Sequence, residues 1–105
     1  MQRKTRVRDK ELNLIIEAFR KNFTSNDHLW LFGSRVDFSK RGGDIDLYIE
    51  TVLSRDEATT QARKLVIDAW NKIGEQKIDV VLNVLKENKK LAIYKIAQEE
   101  GVQLV

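Results

Sequence analysis

His28-Leu-Trp-Leu-Phe-Gly-Ser34 and, after nine intervening residues, Asp44-Ile-Asp-Leu-Tyr-Ile-Glu50 carry the architecture of this chain. The first is a short apolar and aromatic run stopped by Gly33, with the length and residue types of a buried strand. The second alternates strictly. Period two sends Ile45, Leu47 and Ile49 to one face of a strand and both Asp44 and Asp46 to the other. Between the two, Arg35 to Gly43 is polar and ends in Gly42-Gly43, which is loop composition.

Upstream, Leu12, Ile15, Ile16, Phe19 and Phe23 recur at three- and four-residue spacing, so Asp9 to Phe23 is expected to be an amphipathic helix. Downstream, Ser54-Arg-Asp-Glu57 has capping-box spacing and opens a helix that runs to about Ile73. Its buried side holds Ala58, Ala62, Leu65, Val66, Ala69, Trp70 and Ile73, and Gly74 stops it. Lys77-Ile-Asp-Val-Val-Leu82 reads as a third strand, and a last helix is expected near Lys86 to Glu100, ending at Gly101. The order α-β-β-α-β-α predicts an α+β (α/β sandwich) fold: a small mixed sheet of three or four strands flanked by helices.

At 105 residues, 33% charged and 42% hydrophobic, the chain fits one domain with one modest core. Zero Cys excludes disulfides, thiol nucleophiles and Cys-ligated metals, and a single histidine, His28, excludes two-His metal sites. The chemistry left is that of carboxylates, hydroxyls, Lys, Arg and backbone. Residues 1–10 hold five basic side chains (Arg3, Lys4, Arg6, Arg8, Lys10) against Asp9, whereas the other 95 residues hold 14 basic and 15 acidic ones. The division is thus a basic arm, 1–10, and a nearly neutral domain, 11–105. The arm reads as a solvated tail, with nucleic acid or an acidic partner as alternatives. No apolar run reaches the length of a signal-peptide core or a membrane span, so a cytoplasmic location without membrane contact is expected.

Three features carry chemistry. Gly33-Ser34 directly after a strand lets backbone N–H groups and a hydroxyl approach a phosphate. Asp44 and Asp46 leave one strand face together. Hard oxygen donors held this close suit Mg²⁺ or Mn²⁺, and strands are otherwise depleted in Asp. Asp79, between Ile78 and Val80, adds a third acid on a neighbouring strand. Three such carboxylates can hold two Mg²⁺ and prime a hydroxyl for in-line attack on phosphorus. Taken singly, each feature has an ordinary counterpart: a chance turn, a solvated strand face, a strand-edge charge.

Together, Leu31-Phe-Gly-Ser-Arg35, Gly43-Asp-Ile-Asp-Leu47 and Asp79 resemble the nucleotidyltransferases of the DNA polymerase β superfamily. The likeness is greatest to the minimal nucleotidyltransferases (MNT) that pair with HEPN-domain proteins. The resemblance implies a polymerase β-like nucleotidyltransferase fold in which Gly33 and Ser34 bind the β- and γ-phosphates of ATP and Arg35 meets the triphosphate. It implies that Asp44 and Asp46 ligate both metal ions, two Mg²⁺ with Mn²⁺ as a substitute. Asp79 would ligate the catalytic one and help deprotonate the acceptor. Lys40, Arg41 and Lys77 become phosphate neighbours or plain surface charges. The implied function is AMP transfer to a tyrosine of a HEPN-like helical partner, as the antitoxin of a toxin–antitoxin pair. The alternative is a non-catalytic antitoxin or binding subunit that captures such a partner. A hetero-oligomer is expected and nucleic acid is not. A chain of this length has room for the sheet but not for a substrate domain, so part of the site is expected from another chain.

Other residues read plainly. Trp30, Phe32 and Trp70 are expected in the core, and His28 at the surface or in a cap. Lys86, Lys89 and Lys90 read as the solvated start of the last helix, and Tyr48 and Glu50 as an exposed strand end, with a place bordering the nucleotide as the alternative. Leu91, Tyr94 and the tail Val102-Gln-Leu-Val105 are candidate partner contacts.

Overall fold

The computed structural model describes residues 9–33 and 45–105. It consists of α1 (Asp9–Asn22), β1 (His28–Phe32), β2 (Ile45–Thr51), α2 (Arg55–Ile73), β3 (Ile78–Val84), α3 (Ala92–Glu100) and β4 (Val102–Gln103). The sheet runs in the order β3-β2-β1-β4 and is mixed: β2 and β3 are parallel, while β1 is antiparallel to both β2 and β4. The α+β class expected from the sequence is the fold observed.

Alternation builds two unlike faces. Leu29 and Leu31 of β1 and Ile45, Leu47 and Ile49 of β2 are fully buried in one cluster with Leu12, Ile15 and Phe19 of α1 and Ala58 and Leu65 of α2. Burying five strand side chains of this size contributes roughly 1.5–3 kcal/mol each, which fixes the strands against the helical layer. The opposite face carries Trp30, Tyr48 and Asp46, and α3 packs over part of it through Tyr94 and Ala97.

Local signals set the boundaries. The Ser54 side chain accepts the Glu57 backbone N–H (3.3 Å) and donates to Glu57 Oε1 (2.9 Å), capping α2 at the expected residue. Gly74, at φ +91°, ends it and donates its N–H to Trp70 O. The buried Asp27 carboxylate accepts N–H groups from Thr24 (2.9 Å) and Val52 (2.7 Å), tying the turn before β1 to the end of β2.

Three expectations are corrected. The last helix begins at Ala92 rather than near Lys86, because Leu85–Glu87 form a single 3₁₀ turn and Asn88 adopts a left-handed conformation (φ 52°, ψ 41°) that no α-helix can continue. Lys89 and Lys90 therefore belong to a connecting segment. The tail, which lay outside the expected order α-β-β-α-β-α, adds a strand to the sheet: β4 pairs with β1, Leu104 is buried, and Leu29 donates its N–H to Val105 O. Tyr48 is not an exposed strand end but fully buried. No described helix is long and apolar enough to cross a membrane.

Candidate active site

Strand register brings the described acids together. Phe32 of β1 faces Asp46 of β2, and Asp46 faces Asp79 of β3. Adjacent strands lie roughly 4.8 Å apart, so the two carboxylates leave the same face of a parallel pair as immediate neighbours. Behind them, Ile45, Leu47 and Val80 pack on the main core, so both acids stand on rigid elements. The Asp79 side chain is half exposed, with Lys77 Nζ 4.0 Å from its Oδ2. A surface pair of this kind contributes about 1 kcal/mol at most. It leaves Asp79 open to solvent and to substrate.

Gly33 closes the third side. It follows Phe32 with φ +78°, and a Cβ placed on it would collide with Asp46 Oδ2 and come within 3.0 Å of Asp46 Cγ. The backbone thus passes directly against the Asp46 carboxylate, an approach only glycine permits. Of the residues singled out in the sequence, the structure brings Gly33, Asp46, Asp79 and Lys77 to one end of the sheet. Ser34, Arg35, Asp44, Lys40 and Arg41 lie outside the described residues, as does most of the arm.

Among the described residues no group of three or more His, Cys, Asp or Glu side chains gathers for a metal. The donors that are present fit one nonetheless. Two hard carboxylate groups on neighbouring rigid strands are the ligand chemistry of Mg²⁺ or Mn²⁺. Asp44 stands two positions before Asp46 in sequence, where the strand period would place a third donor.

Beyond the acids the same face becomes a polar network that the sequence did not announce. Tyr48 Oη donates to Glu50 Oε2 (3.1 Å) and accepts from Asn83 Nδ2 (2.9 Å) and Gln98 Nε2 (3.4 Å). Gln98 Nε2 also donates to Glu50 Oε2. Tyr94 Oη donates to Leu82 O, and the Tyr48 ring packs between Trp30 and Tyr94, with centroids at 5.1 and 5.7 Å. Period two gave the signal that Tyr48 shares the acids' face; what buries it there is α3, a tertiary event.

Burial is the main reason that the Tyr48 phenol is pushed up to about 12. The unfolded chain ionises this group near 10 and the folded chain only near 12, so between those values the unfolded state holds fewer protons. Stability is therefore complete below pH 10 and falls as pH rises towards 12, by on the order of 3 kcal/mol from this group. Urea unfolding followed across that window should show the loss, and Tyr48→Phe should remove this share of the pH slope.

No curated protein matches the chain. The family model described as "Nucleotidyltransferase domain" matches residues 12–104, a span that runs from within α1 through β4. With Asp46 and Asp79 registered on adjacent strands beside the Gly33 turn, the chain belongs to the nucleotidyltransferase-domain family, whose reaction is nucleotidyl transfer.

Proposed function

We propose that the protein transfers AMP from ATP to a hydroxyl acceptor, a tyrosine of a HEPN-like helical partner, with Mg²⁺ as the metal. The observation that carries the reaction type is the side-by-side register of Asp46 and Asp79 against the Gly33 backbone. The acceptor and the nucleotide rest on the resemblance of the Gly33-Ser34 turn and the Asp44-Ile-Asp46 strand to the minimal nucleotidyltransferases.

In this reading Asp44, Asp46 and Asp79 hold the metal ions, which supply charge neutralisation at the α-phosphate. Gly33, Ser34 and Arg35 hold the triphosphate by backbone N–H, hydroxyl and guanidinium. Asp79, the more exposed acid, receives the proton of the acceptor hydroxyl. The acceptor oxygen forms its bond to the α-phosphorus as the bond to the β-phosphate oxygen breaks, and pyrophosphate leaves. Carboxylates, a phosphate-binding turn and backbone suffice for the protein's part. The absence of cysteine costs this chemistry nothing.

The test uses the chain and the protein encoded beside it, expected on this reading to be HEPN-like and helical. With ATP and Mg²⁺, the partner should gain AMP on a tyrosine and a chelator should stop the reaction. Neutralisation of the partner by the Asp44→Asn/Asp46→Asn variant without ATP would instead establish stoichiometric capture.

A further inference from the structure

The acid-bearing face does not end at the site. α3 packs on β1 and β2, leaving β3, the edge strand, half open along Asp79, Val81 and Asn83. Asn83 lies four residues beyond Asp79, or about 13 Å along the strand. There the face runs into a groove of about 350 Å³ whose lining includes Asn83, Gln98, Leu91, Lys89, Lys90 and Lys95.

This groove gathers three lysines in a domain whose basic and acidic side chains nearly balance, 14 against 15 over residues 11–105. Lys89 Nζ lies 3.7 Å from the half-buried Glu87 and Lys95 Nζ 3.9 Å from the exposed Glu99; both lysines are exposed, and long pairs of this kind yield to a better anion. The segment bearing Lys89 and Lys90 is held in place. Arg55 donates from Nε and Nη2 to the two Glu87 oxygens (3.1 and 2.7 Å), and Asn88 turns the chain there. The groove's rings, Tyr48 and Tyr94, are buried, so it offers no stacking platform for nucleic-acid bases. Leu91, by contrast, is 49% exposed beside the lysines. A basic and apolar groove without stacking rings suits a polypeptide better than a polynucleotide.

We propose that the groove docks an acidic segment of the acceptor protein, its carboxylates on Lys89, Lys90 and Lys95 while its hydroxyl-bearing residue lies at Asp79. The proposal rests on the nucleotidyl-transfer reading and adds a substrate class to it. The acceptor hydroxyl is followed or preceded, about four residues away in an extended segment, by a cluster of Asp or Glu.

The test is direct binding to the full chain without nucleotide, by fluorescence anisotropy. The probe is an extended peptide carrying one tyrosine and a run of glutamates four residues beyond it. It should bind at least about tenfold more tightly than its glutamine counterpart. The Lys89→Glu/Lys90→Glu/Lys95→Glu variant should lose that advantage, and Lys89→Gln/Lys90→Gln/Lys95→Gln most of it. Lys21→Glu/Lys64→Glu/Lys72→Glu, on the helical side, should keep it. Unchanged binding by both groove variants would overturn the proposal. So would tighter binding of a single-stranded RNA oligomer that depends on the same lysines. Asp46→Asn should bind the peptide as the unaltered chain does. If that variant still transfers nucleotide, the reading of the site fails, while the docking result is decided by the lysines alone.

Discussion

Asp46→Asn should lower nucleotidyl transfer by at least about 10³-fold without unfolding the protein. The substitution keeps the volume of a side chain that stands on a rigid strand, opposite Asp79 on one side and Phe32 on the other. The packing behind it, through Ile45 and Leu47, is untouched. What it removes is one negative charge from the pair that would hold the metal, and metal-centred charge stabilisation is worth several kcal/mol at roughly 1.4 kcal/mol per tenfold in rate. The comparison with Asp27 sharpens the expectation. That carboxylate is buried, whereas Asp46 is only partly so, and it serves two backbone N–H groups in a turn. Asp27→Asn should therefore shift the urea midpoint and spare the turnover number, the inverse of Asp46→Asn. Steady-state kinetics and urea unfolding of both variants decide the matter.

Gly33→Ala should impair transfer about 10²-fold and destabilise the fold by about 1–2 kcal/mol. Two separate costs meet at this position. At φ +78° an L residue is strained by roughly 1–2 kcal/mol. The added methyl would also occupy the place of Asp46 Oδ2, so the carboxylate must move. A displacement of about 1 Å at a reacting group can cost 10²-fold in rate. Gly74 separates the two effects. It has a similar φ of +91°, but nothing lies within 4 Å of a Cβ placed there. Gly74→Ala should lose stability through the backbone strain alone and leave turnover unchanged. Equal turnover in the two variants would remove Gly33 from the site.

Much of this arrangement was legible because it depends on near neighbours in sequence. Alternation over Ile45 to Ile49 sets which side of β2 faces the helices, and Ser54 and Gly74 fix the ends of α2 through contacts three and four residues away. The apposition of Asp46 and Asp79 was expected from both lying on strands, although only the register makes them direct neighbours. What the sequence hid is non-local. β4 is two residues long and exists because β1 offers it an edge, so Val102-Gln103 carries no strand signal of its own in the sequence. The burial of Tyr48 and the groove beside it depend on α3 folding back across β1 and β2. The late start of α3 rests on a single left-handed residue, Asn88, inside a stretch rich in helix formers.

The central claim is that the acids of β2 and β3 move a nucleotidyl group, and the position of the label in ATP tests it most directly. With the chain, the proposed HEPN-like acceptor and Mg²⁺, label at the α-phosphate should appear on the acceptor, while label at the γ-phosphate should leave with pyrophosphate. Transfer of the γ-label to the acceptor, or α-label transfer that survives Asp46→Asn, would contradict the account.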